Sequence, residues 1–130
     1  MTSKGLGLPV EGRVPLDVFR CTTIADLRRL RPADFEGRFM TPPELIHIFG
    51  ICQAIWQHPG ADNPLVPHIQ LTAGDHSNGF INTLAVLTYM NLLEVFAHEL
   101  VKLVRLDNTD PKVEWVVGSD HAGKALAQAV

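Results

Sequence analysis

The stretch Val113-Glu114-Trp115-Val116-Val117-Gly118-Ser119-Asp120-His121-Ala122-Gly123-Lys124-Ala125-Leu126-Ala127 reads as strand, tight loop and helix start. Its first five residues form a short apolar, β-branched run of the kind found in the strands of α/β sheets. Residues 118–123 then turn between glycines, and residues 124–130 begin a helix. With a helix before it, this order is one half of a βαβ-type unit and sets the expected class as α/β. A parallel strand needs a neighbour reached by a right-handed crossover. Because the sequence stops inside the unit, the expectation is a truncated domain, or one completed by a partner.

Working back from that stretch, Asn91 can cap a helix with Glu94 at the capping-box position. Leu92, Leu93, Val95, Phe96, Leu100, Leu103 and Val104 supply its apolar face to about Arg105. Residues 68–72 alternate polar and apolar as a strand does, Ala73-Gly74-Asp75-His76-Ser77-Asn78-Gly79 has turn chemistry, and Phe80-Ile81-Asn82-Thr83 reads as the returning strand of a hairpin. Thr41-Pro42-Pro43-Glu44 is a helix start with a threonine cap, proline in the first turn and a glutamate closing the box. The apolar spacing carries that helix to about Gln57, where Pro59-Gly60 stops it. Before residue 40 the chain mixes glycine, proline and charge, with one short helix expected over residues 23–30 behind a Thr23 cap.

Composition narrows the function. The 130 residues are 46% hydrophobic and 19% charged, as in one globular domain, and carry a formal charge of -3. That balance gives no positive excess to attract a polyanion, so nucleic acid is not an expected partner. No apolar run reaches the roughly 20 residues that a membrane span requires, and the N-terminus lacks a secretory core, so a cytoplasmic protein is expected. Cys21 and Cys52 are too far apart for the close pairing of zinc or redox motifs, and Cys52 reads as a small core residue.

Few residues suggest chemistry. The loop of Gly118, Ser119, Asp120, His121, Ala122 and Gly123 lies between strand and helix start, where α/β folds bind ligands and unpaired N–H groups can wrap a phosphate. From spacing alone the same loop is also an ordinary connection. Asp120 and His121 are adjacent, a poor arrangement for an acid and base pair, and no third member is identifiable. His98-Glu99 lacks the second histidine of the zinc-peptidase helix, since Lys102 stands there. Arg28, Arg29, Arg31 and Arg38 could bind phosphate or form a solvated face. Phe80 could stack on a planar ring or fill the core under a hairpin. No residue is assigned a catalytic role, and none a metal-ligating one.

Two segments together resemble orotate phosphoribosyltransferases. Members of that family have a stretch of the form F-x-L-x-S-G-x-x-S-x-x-Y/F-x-N. Over residues 68–82 this chain matches it at Leu71, Gly74, Ser77, Phe80 and Asn82, with Ile69 for the aromatic and Ala73 for the serine. The family continues through a leucine-rich helix into V-V-G-P-A-x-x-G-x-x-L-A. Here Val116, Val117, Gly118, Gly123, Leu126 and Ala127 match, while Ser119 and Asp120 replace proline and alanine. Some members carry lysine just before the second glycine; this chain has Ala122 there and Lys124 two residues later.

The resemblance covers about residues 44–130 and implies an incomplete type I phosphoribosyltransferase fold, Rossmann-like, over residues 41–130. Residues 1–40 are then an N-terminal extension of unknown role. It implies that Thr72, Ala73, Gly74 and Phe80 lie near the base and that residues 118–123 bind pyrophosphate. The implied reaction moves ribose 5-phosphate from phosphoribosyl pyrophosphate to orotate or another pyrimidine base, with Mg²⁺ on the donor's phosphates. The family's mobile catalytic loop and its acidic ribose-phosphate segment are expected beyond Val130, so this polypeptide alone is expected to turn over little. A homodimer is also implied. Two other readings stand beside it. One is a non-catalytic nucleotide- or pyrophosphate-binding relative, which the altered loop favours. The other comes from Gly-Ser-Asp-His-Ala-Gly, which is similar to a string near the start of the B-type ribose 5-phosphate isomerases, whereas here it nearly closes the chain.

Overall fold

The computed structural model describes residues 12, 14–58, 63, 65, 68–105 and 113–130. They form a mixed helix-and-strand fold with five helices and two small antiparallel sheets. The N-terminal part is built from local caps. Asp17 accepts from the Phe19 amide at a 3-10 turn over Val18–Arg20, and Thr23 with Asp26 closes a capping box on α1 (Ile24–Leu27). A second 3-10 turn over Pro32–Phe35 buries Asp34, whose carboxylate accepts from the Leu16 and Arg31 amides at 3.0 and 2.8 Å. Val18, Cys21, Leu27, Leu30 and Phe35 from this part share one buried cluster with Ile48, Cys52, Val86, Leu92 and Val95. The core therefore draws on both sides of residue 40.

Helix α2 (Pro42–Ile51) starts where the sequence places it, with both halves of the Thr41–Glu44 box formed. It ends sooner than expected. Gln53 takes a left-handed φ of 53°, its amide donates to Gly50 and the Ala54 amide reaches back to Phe49 at 2.9 Å. This is the Schellman ending usually built on glycine. Its effect is to release residues 55–57 as β1 (Ile55–Gln57), an edge strand half open to solvent rather than the last turn of a buried helix.

The hairpin is also rearranged. β2 (Ile69–Gln70) pairs with β3 (His76–Ser77), while β4 (Gly79–Ile81) pairs with β1, aligning Phe80 with Trp56 and Ile81 with Ile55. Residues 80–83 do not return onto residues 68–72 as the alternating pattern suggested. The strand exposed by the early end of α2 takes them instead, and the Asn82 amide extends that ladder to the Ala54 carbonyl at 2.7 Å. A one-turn helix α3 (Leu84–Leu87) follows.

Helix α4 (Met90–Arg105) buries Leu92, Leu93 and Val95 of its expected apolar face, with Ala97, while Leu100, Leu103 and Val104 stay exposed. It begins two residues earlier than the Asn91 cap implied, at Met90 rather than Leu92. The Asn91 amide nitrogen donates instead to the Leu27 and Leu30 carbonyls at 2.8 and 3.2 Å, tying α4 to the N-terminal part. Further along α4, Glu99 accepts from the Met40 amide at 2.8 Å, pairs with Lys102, and Lys102 donates to the Phe35 and Arg38 carbonyls. The Pro59-Gly60 break lies outside the described residues.

Residues 113–117 depart from expectation. They have strand composition but no ladder partner among the described residues, and Trp115 and Val117 are 85% and 89% exposed. A β-strand's stability comes from its neighbours, and no described segment runs beside this one. Helix α5 (Ala122–Ala129) then packs on α4 and α3. Among the described residues no helix is long and apolar enough to cross a membrane.

Candidate functional site

The residues expected near a base divide between the two sheets. Thr72, Ala73 and Gly74 form the exposed tip of the β2–β3 hairpin, closed by the Gly74 amide on the Leu71 carbonyl at 2.8 Å and the Leu71 amide on the Asp75 carbonyl at 2.7 Å. Gly74 sits at φ 90°, a conformation that side chains strain to reach, so this glycine is required by the turn. Phe80 is on β4, beside Trp56 in the other sheet and 46% exposed. Ser77 links the two, its hydroxyl donating to the Gly79 carbonyl at 2.7 Å as the chain crosses from β3 to β4. Phe80 therefore lies outside the buried core, half-exposed.

The loop before α5 is tight. A Cβ on Gly118 would collide with the Gly123 carbonyl and with the Ala127 side chain, and one on Gly123 would strike the Ser119 hydroxyl. Both glycines are needed because the two ends of the loop touch. His121 takes a left-handed φ of 60° and offers no side-chain cap, and the Lys124 amide turns back to the His121 carbonyl at 3.2 Å. The Asp120 carboxylate pairs with the Lys124 ammonium at 2.7 Å across the first turn of α5. That hydrogen bond, followed by one from the His121 amide, holds the Asp120 carboxyl below its ordinary range. Lys124, which the sequence places two residues beyond the family's lysine, is thus drawn back to the loop.

These two parts are joined through helices: β4 leads into α3, and α3 packs on α5. Clefts of about 830, 740 and 430 Å³ lie elsewhere. The largest of the three is lined by Arg20, Cys21, Arg29 and Arg31 of the N-terminal part. The arginines singled out in the sequence do not converge on a single anion site. Arg38 grips Glu44 through two bonds of 2.9 and 2.8 Å and lies over the Phe35 ring, Arg31 donates to the Arg28 and Leu30 carbonyls, and Arg28 lies over Tyr89. Sequence reading saw Glu44 only as a capping residue. The nearby Arg38 was the available signal for its second role.

Cys21 and Cys52 are free and buried, and burial pushes both thiols up. Among the described residues no group of three or more His, Cys, Asp or Glu side chains could hold a metal ion. No family model, no curated protein and no solved structure matches the chain.

Proposed function

We propose that this chain is an orotate phosphoribosyltransferase-like protein of type I fold. It takes phosphoribosyl pyrophosphate on the loop at residues 118–123 and a pyrimidine base beside Thr72, Ala73, Gly74 and Phe80. In the reaction a ring nitrogen of the base bonds to C1 of the ribose 5-phosphate and gives up its proton to water, and the bond from C1 to the pyrophosphate oxygen breaks with its electron pair leaving on pyrophosphate. The observation that carries this reading is the contact between Gly118 and Gly123, which closes a tight loop at the start of α5, where no side chain caps the helix. Such a loop suits a diphosphate because its partial positive charge requires no side chain to be moved. Mg²⁺, arriving on the donor, would supply charge neutralisation, and the Asp120 carboxylate and Ser119 hydroxyl are the hard oxygens at hand for it.

A second reading, a relative that binds nucleotide or pyrophosphate without chemistry, is favoured by Asp120, whose negative charge opposes a phosphate on the loop. The two tryptophans separate the parts of the site. Trp115 is three residues before Gly118, and Trp56 is the ladder partner of Phe80. Single-tryptophan variants (Trp56→Phe or Trp115→Phe) titrated with Mg²⁺-pyrophosphate and with orotate should show Trp115 responding to the first and Trp56 to the second. If neither ligand changes either signal, the phosphoribosyltransferase reading is wrong. Binding of pyrophosphate with no response to any pyrimidine would favour the non-catalytic relative.

A further inference from the structure

The groove of about 430 Å³ is walled by the residues just before α2 and by α2, α3, α4 and α5. The rings of Phe39, Phe49 and Phe96 line it, and leucines supply most of the rest. Of the described side chains along it, two are polar, Glu99 and Thr83. Glu99 is already engaged: it accepts from the Met40 amide at 2.8 Å and pairs with the Lys102 ammonium. Lys102 in turn donates to the Phe35 and Arg38 carbonyls, which occupies its three N–H groups. Thr83 stands at the exposed rim, where its hydroxyl caps no helix.

Such walls select an occupant by its chemistry. A charged ligand would give up its hydration without gaining a partner of opposite sign. A peptide, from another protein or from this chain, would bury N–H and C=O groups against side chains that offer no donor or acceptor. A neutral apolar molecule meets neither penalty, and the rings favour an aromatic one. Phe49 and Phe96 meet edge to face with centroids 6.0 Å apart, an arrangement that a further ring can extend, and the Met40 thioether suits the edge of such a ring. A cavity of roughly 150 Å³ takes one benzene molecule, so this groove has room for about two or three rings. We infer that the groove is a binding site for a neutral aromatic molecule of that size, with at most one hydrogen-bonding atom, which meets Thr83 at the rim.

The groove is separate from the site proposed for phosphoribosyl transfer. None of residues 72–74, 80 and 118–123 lines it, and a pyrimidine, with several donors and acceptors, is the wrong ligand for it. Leu126 nevertheless belongs to the helix that follows the loop, so a bound molecule seats α5 against α4.

The test titrates the whole chain with phenylnaphthylamine, a neutral fluorescent arylamine. One saturable site per chain is expected, with emission moved to shorter wavelength. Leu45 and Ile46 are neighbours on α2, both partly exposed, and of the two Leu45 lines the groove. Leu45→Gln should therefore raise the dissociation constant about tenfold, the worth of the apolar contact removed, and Ile46→Gln should leave it unchanged. Leu103→Gln, on the α4 wall, should weaken binding as Leu45→Gln does, and it carries the comparison if the far-ultraviolet spectrum shows Leu45→Gln unfolded. The absence of saturable binding, equal loss in the groove variants and Ile46→Gln, or displacement of the probe by orotate would overturn the inference.

Discussion

Replacing Glu44 by glutamine isolates one buried charge at the junction of the N-terminal part and α2. Glu44 is 6% exposed, accepts both bonds of the Arg38 fork and also accepts from the Thr41 amide and hydroxyl. The Arg38 hydrogen bonds, opposed by desolvation and helped by Thr41, hold its carboxyl at about 2, against 4.5 ordinarily. Each unit is worth about 1.4 kcal/mol, which sets an upper bound of roughly 3 kcal/mol on the ionised form's preference for the folded state. Arg38 is partly open to water, so screening reduces this to about 2 kcal/mol. Glutamine keeps the side-chain length and can still serve the capping box, so the loss reports the charge rather than the cap.

The sign follows from the lowered value. Above pH 4.5 the carboxylate is ionised in both folded and unfolded chains, and its stabilisation is fully present. As pH falls from 4.5 toward 2 the unfolded chain takes up the proton first, and the stabilisation drains away. Urea unfolding of the wild type and Glu44→Gln at pH 7 should therefore differ by about 2 kcal/mol. The gap should shrink steadily below pH 4.5 and nearly vanish at pH 2 to 2.5. A constant gap through that window, or none at pH 7, would refute the assignment of the ion pair as the source of stability.

Two further outcomes follow from the structure. Gln53→Gly should stabilise the chain by about 0.5 to 1 kcal/mol in the same urea assay, because Gln53 holds a left-handed φ and its side chain is exposed; a loss of stability would contradict the Schellman ending of α2. Cys21 and Cys52, buried and with raised thiol values, should resist a thiol-specific disulfide reagent in the native chain and react together on unfolding, whereas fast reaction of either in the native state would contradict its burial.

What could be read from the sequence was what a few neighbouring residues decide. The start of α2 depends on four consecutive residues, and its box formed as written. The apolar face of α4 depends on a repeat within one helix, and its first half is buried as spaced while Leu100, Leu103 and Val104 are exposed. The end of α2 was not legible, because a non-glycine residue takes the left-handed position and the break is made worthwhile by pairing of β1 with β4, over twenty residues away. The same distant pairing explains the misread hairpin. The sequence marked residues 68–72 and 80–83 as strands and paired them with each other, but local pattern does not decide which strand each finds.

The candidate site divides along the same line. The need for Gly118, Gly123 and Gly74 was readable, since each marks a place where backbone geometry leaves no room or no conformational freedom for a side chain. The Asp120–Lys124 pair was not, because Asp120 stands before the His121 cap, outside α5, where the rule that residues four apart meet on a helix face does not reach. That pair now bears on whether the loop can take an anion at all. With Lys124 held by Asp120, an incoming diphosphate must either share the lysine or bring a cation for the aspartate. Asp120→Asn frees the lysine and removes the opposing charge, so it should tighten pyrophosphate binding in the absence of Mg²⁺, read on Trp115. Weaker binding in that variant would mean that the carboxylate helps to hold the ligand, and the loop would have to be understood as a cation site first.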